Sequence, residues 1–91
     1  MFYVISYDVA DDARRNRVSE MLLDYGCRVH YSVFECTLEE DLAKKMVERL
    51  KDIIVPEKDR VRIYFLCASC RERIKWFGME GPVNEPKVVI I

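Results

Sequence analysis

An apolar run opens the chain, Phe2-Tyr3-Val4-Ile5-Ser6-Tyr7, and stops at Asp8. A strand over Phe2 to Val9 is apolar on both faces, so it belongs in the middle of a sheet. Asp11 or Asp12 then caps a helix, on which Val18, Met21, Leu22 and Tyr25 form one apolar stripe. Gly26 stands where a left-handed C-terminal cap is wanted. Arg28 to Cys36 alternates, with Val29, Tyr31 and Val33 facing one way and Arg28, His30, Ser32 and Phe34 the other. Thr37 and Glu40 match a capping box. The helix that follows buries Leu42, Met46, Val47, Leu50, Ile53 and Ile54, and Pro56 marks its end. Asp59-Arg60 opens another strand, with Val61, Ile63 and Phe65 on one face and Arg62, Tyr64 and Leu66 on the other. A loop holding Cys67 and Cys70 leads to a short strand, Ile74-Lys75-Trp76-Phe77, broken by Gly78, Gly81 and Pro82. The tail from Pro86 to Ile91 is strongly β-prone.

These elements predict an α+β fold: a ferredoxin-like βαββαβ with an extra C-terminal strand, two helices on one face of an antiparallel sheet. Residues 1–91 make a single domain. The second sheet face stays open, and Phe34 and Leu66 are expected on it. An apolar open face predicts a homodimer. Residues 86–91, with Val88, Val89, Ile90 and Ile91, have no place in their own sheet and are expected to pair with an edge strand of the partner. A hydrophobic content of 51% points the same way, because a chain this short buries only roughly 60–65% of its unfolded surface. The net charge of −1 argues against a broad basic surface gripping nucleic acid. It leaves room for a local patch of Arg14, Arg15, Arg17 and Arg28. No run approaches the ~18 apolar residues of a membrane span. With no signal-peptide pattern and four cysteines read as mostly buried thiols, a cytoplasmic location is expected.

Asp8 is the candidate catalytic residue. A carboxylate where a strand stops and a helix starts faces solvent or a ligand, and arginines a turn further on can hold phosphate nearby. Mg²⁺ accepts one or two carboxylates and fills its remaining positions with water. A symmetric dimer would supply a second Asp8 across the two-fold axis. The same residue also fits a helix N-cap, and both readings stand. Arg14 and Arg17 share a helix face, as phosphate ligands or as a solvated surface. Phe34 either stacks on a base or packs in a dimer seam. His30 is a general base or a polar surface residue. Cys67-Ala68-Ser69-Cys70 is one C-x-x-C, which makes a zinc site only if Cys27 and Cys36 come near.

Tyr7-Asp8 after a first strand, arginines on the first helix, Gly26, Arg28-Val29-His30-Tyr31-Ser32-Val33-Phe34-Glu35, and Asp59-Arg60-Val61-Arg62-Ile63-Tyr64 resemble the CRISPR-associated Cas-two family. The resemblance spans residue 2 to about residue 78. It implies a ferredoxin-like homodimer with exchanged C-terminal strands, and a metal-dependent endonuclease acting on single-stranded RNA or double-stranded DNA. It further implies that Asp8 binds Mg²⁺ (or Mn²⁺) near the dimer axis, with Arg15, Arg17, Arg28 and Phe34 around it on the nucleic acid. The partner implied is the CRISPR integrase, during spacer acquisition. Two other readings are a non-catalytic DNA-binding scaffold bridging integrase dimers and a ribonuclease toxin of the related VapD type. His30 stands where family members usually carry glutamine.

Overall fold

A computed structural model of the chain describes residues 1–78. The apolar opening run forms β1 (Phe2–Asp8), hydrogen-bonded on both sides, in a four-stranded sheet of order β2-β3-β1-β4. Its neighbours are β3 (Val33–Thr37) and β4 (Arg60–Leu66), both antiparallel, and β2 (Cys27–His30) lies outside β3. Helices α1 (Asp12–Leu22) and α2 (Glu40–Ile53) complete the βαββαβ order, and a short α3 (Ala68–Arg71) follows β4. This is the ferredoxin-like split βαβ arrangement. The predicted tail strand, with Val88, Val89, Ile90 and Ile91, lies outside the described residues.

Both long helices bury their stripes on the same sheet face. Ile5 and Tyr7 from β1 and Phe34 and Cys36 from β3 meet Val18, Met21 and Leu22 of α1 and Ala43, Met46 and Leu50 of α2. Each large apolar side chain so buried contributes about 1.5–3 kcal/mol. Strand alternation then places Val4, Ser6 and Asp8 of β1, Val33 and Glu35 of β3, and Arg60, Arg62, Tyr64 and Leu66 of β4 on the other face. Phe34 was expected on that open face and is instead fully buried beneath the helices. Burial decides the face here: β3 can fill the space under α1 and α2 only with Phe34 and Cys36, because Val33 and Glu35 point away.

The expected long strand from Arg28 to Cys36 is in fact two strands joined by a turn at Tyr31-Ser32. Pairing becomes irregular between Arg28 and His30, and this bulge begins the reversal. The expected capping box at Thr37 and Glu40 does not form. Thr37 is the last residue of β3, opposite Phe2, and the α2 N-cap is Glu39, which makes no side-chain cap bond. Glu40 and Asp41 in the first turn face the positive end of the helix dipole instead. Leu42 is exposed, and Ala43 takes the buried position beside it. Ile74 to Phe77 is not a strand. The Arg73 and Ile74 amides donate to the Cys70 and Arg71 carbonyls, so the chain continues in turns beyond α3.

Gly26 does not adopt the left-handed conformation expected of it. Its role is close approach. A Cβ there would lie 2.2 Å from the Glu35 carbonyl oxygen and 2.5 Å from Cys36 Sγ. Neither backbone nor a buried thiol yields cheaply, so Gly26→Ala should cost about 1–3 kcal/mol, measured as a lower midpoint in urea unfolding with an unchanged slope.

Candidate metal and nucleic-acid site

Asp8 is the last residue of the central strand, exposed, and directly opposite Arg60 of β4 in register. No hydrogen bond or ion pair engages its carboxylate among the described residues. Its acidic neighbours are already committed. Asp11 is the N-cap of α1, accepting the Arg14 amide at 2.9 Å, and Asp12 pairs with Arg15. The cap reading of the sequence therefore belongs to Asp11, three residues beyond Asp8. Among the described residues no group of three or more histidine, cysteine, aspartate or glutamate side chains converges on one point. One chain offers a hard cation a single carboxylate, which suits Mg²⁺ only if water, phosphate or a second carboxylate completes the shell.

The loop behind Asp8 is clamped by a group the sequence reading passed over. Asp59 is buried, and all its bonds reach back to the start of α1 or across its own turn. Its Oδ2 accepts Arg14 Nε at 2.7 Å and the Val55 amide at 2.8 Å. Its Oδ1 accepts Arg14 Nη2 at 2.9 Å and the Ala10 amide at 3.1 Å. The Arg14 guanidinium, helped by the two amides, holds the Asp59 carboxyl well below the usual carboxylate range, and Asp59 in turn raises Arg14. Arg14 is thus a structural fork. Nothing local could have revealed the pair, since 45 residues separate its members.

The structure divides the predicted arginines. Arg15 donates from Nη1 to the Val9 carbonyl at 2.8 Å, one residue from Asp8, and stays half-buried at the strand end. Arg17 sits elsewhere, lining a groove between α1 and α2 with Glu20, Asp24, Arg49 and Asp52. Arg28 turns inward. Its Nη2 donates to Ser19 Oγ at 2.8 Å, and its guanidinium carbon lies 5.9 Å from the centre of the Phe34 ring. The Phe34 ring has no exposed surface, so it packs against Tyr7 and supports Arg28 rather than presenting a face to a base.

Two cations that the sequence reading left in the strand share the open face with Asp8. Arg60 lies opposite Asp8 and Arg62 opposite Ser6, both exposed. Arg62 also donates to Tyr64 Oη at 3.2 Å. Their alternation along β4 was the available signal. His30 and Tyr31 belong to the same end of the sheet, because the Tyr7 amide donates to the Ser32 carbonyl at 3.1 Å. Their rings meet edge to face at 5.4 Å, and Tyr31 is 84% exposed.

The fold is a ferredoxin-like domain whose central strand ends in a carboxylate unengaged among the described residues, with arginines around it. The sequence profile of the CRISPR associated protein Cas2 family matches residues 1–74. Over 86 residues the chain is 49% identical to a CRISPR-associated endoribonuclease Cas2 of Chloroflexus aurantiacus, covering 93% of this chain and 91% of that one. It is 42% identical over 90 residues to one from Rhodospirillum rubrum, covering 97% of this chain and 73% of the relative. The crystal structure of Streptococcus pyogenes Cas2 at pH 6.5 superposes with a TM-score of 0.78 at 31% identity, covering 86% of this chain and 100% of the other. The chain belongs to the CRISPR associated protein Cas2 family.

Proposed function

We propose that the chain is a metal-dependent endonuclease of a CRISPR system, hydrolysing phosphodiester bonds of single-stranded RNA or double-stranded DNA with Asp8 as metal ligand and catalytic residue. The observation that carries this is the state of Asp8: exposed at the end of the central strand, with no partner among the described residues, while Asp11, Asp12 and Asp59 are all engaged. The relatives named as endoribonucleases support the reaction class. The donor set fits Mg²⁺ or Mn²⁺ as one carboxylate from each of two chains, so the working form is a homodimer, with residues 86–91 exchanged between subunits. A bound ion supplies positive charge at the scissile phosphate and acidifies water. Asp8 holds the ion's position. Arg15 steadies the strand end through the Val9 carbonyl, and Arg60 and Arg62 offer cationic forks to phosphate on the open face. Arg17 and Arg28 act less directly: Arg17 from the groove between α1 and α2, Arg28 and Phe34 by building the sheet that carries Asp8. In the cell the protein works with the CRISPR integrase during spacer acquisition.

The test is cleavage of labelled single-stranded RNA and duplex DNA, with Mg²⁺ or chelator, by wild type and Asp8→Asn. The expected result is metal-dependent cutting that falls at least ~100-fold in the variant, with an unchanged melting temperature because the Asp8 carboxylate bonds no other group among the described residues. Cutting that survives both the chelator and Asp8→Asn would falsify the assignment.

A further inference from the structure

The C-x-x-C is a pair of exposed nucleophilic side chains that the proposed nuclease does not use. Cys67 precedes α3 and Cys70 lies within it, both exposed thiols. The Arg71 amide donates to the Cys67 carbonyl at 2.9 Å, which closes a helical turn. Residues three apart on such a turn are side-chain neighbours, at a spacing a disulfide can bridge. Ser69 Oγ, between the two cysteines in the chain, lies 3.4 Å from Cys67 Sγ.

The pair is also chemically asymmetric. Hydrogen bonds from Ser69 and Cys70 bring the Cys67 thiol down to about 7, while the same contact pushes Cys70 up. One sulfur is thus partly thiolate at neutral pH and the other keeps its proton, as an attacking and a resolving thiol require. Cys36 is the internal contrast: buried, and pushed up to about 12 chiefly by that burial. The pair sits at the far end of β4 from the candidate nuclease site, since Leu66 pairs with Phe2 and Arg60 with Asp8.

We propose that Cys67 and Cys70 form a reversible thiol–disulfide site whose co-substrate is a low-molecular-weight disulfide of the glutathione type. Cys67 Sγ attacks one sulfur of that disulfide, and the S–S bond breaks to release one small thiol. Cys70 then loses its proton and attacks Cys67 Sγ. The mixed S–S bond breaks, and the second small thiol leaves with that proton. The two protein sulfurs give up two electrons and the small disulfide takes them, so no further oxidant is needed. Closure reaches the sheet through Arg71, the residue after Cys70. Its guanidinium carbon lies 4.4 Å from the centre of the Phe2 ring, and its charge opposes the burial that raises Glu35.

The experiment equilibrates full-length protein with oxidised and reduced glutathione, followed by acid quench, alkylation and peptide mapping. The expected result is a Cys67–Cys70 linkage within one chain that forms with oxidised glutathione and reverses with the reduced form, while Cys36 stays alkylatable only after unfolding. Cys70→Ser should retain one glutathione on Cys67, acquired roughly tenfold faster than Cys67→Ser acquires one on Cys70. Linkage between chains, loss of Cys27 in preference to Cys67, equal trapping rates in the two variants, or no reaction of the wild type would each overturn the proposal.

Discussion

Phe34→Ala should leave the domain largely unfolded at physiological temperature. Phe34 is the largest of the fully buried side chains, under both helices and against Tyr7. Truncating such a ring removes its transfer free energy and leaves a cavity that β3 and the helices close only in part, a cost of about 3–5 kcal/mol. In a domain this small, each kcal/mol is worth roughly 4–8 °C, so calorimetry should record a fall of about 15–30 °C. Arg28 compounds the loss, because its Nε is buried with no partner among the described residues and its cationic plane lies by the ring. Phe34→Leu keeps most of the volume and should cost about half as much. The outcome separates two roles for one residue. A base-stacking contact would lose nucleic-acid affinity at constant stability; a core residue loses stability first, and a normal melting curve for Phe34→Ala would refute the packing account.

Asp59→Asn should produce the other large effect. An amide in place of the carboxylate turns one acceptor oxygen into a donor facing groups that are themselves donors: the Arg14 fork, the Ala10 amide and the Val55 amide. Arg14 is left partly buried without its counter-charge. The melting temperature should fall on the order of 10 °C. Acid titration gives a second readout. The folded Asp59 holds its charge to lower pH than an ordinary carboxylate, so the unfolded chain takes up the proton first. The contribution of Asp59 is complete above the ordinary carboxylate value of about 4 and drains away as pH falls below it. The gap between wild type and Asp59→Asn should be constant at neutral pH and narrow under acid. A gap independent of pH would show that the carboxylate's charge is not what the fold uses.

The contrast between Phe34 and Asp59 marks how far this sequence could be read. A continuous apolar run located β1, period-two alternation located β4, and the apolar stripes located α1 and α2, because those patterns are written within a few adjacent residues. The turn at Tyr31-Ser32 has neither glycine nor proline, so one run of alternation concealed two strands. Phe34 is expected on the wrong face because alternation groups it with Arg28, His30 and Ser32, and nothing within that run says which side the helices cover. In the fold Arg28 buries its stem and finds Ser19. Asp8 was legible as a chain position, at the stop of an apolar run. What isolates it is not, since that depends on Asp11, Asp12 and Asp59 all having partners, and Asp59 finds its own in a segment 45 residues away.

The sheet order also has a consequence in time. The central strand is the first to be synthesised, yet its two neighbours end at Thr37 and Leu66. Residues 2–8 can therefore pair on one side once β3 has emerged, but their second edge stays open until β4 has followed. The Asp59 bonds to Ala10 and Arg14 arrive just as late. Long-range closure of this kind is slow and leaves apolar strand surface open to other chains meanwhile. A nascent chain halted before β4 would hold the Asp8 strand by one edge only, so the candidate site and the four-stranded sheet are completed in the same step.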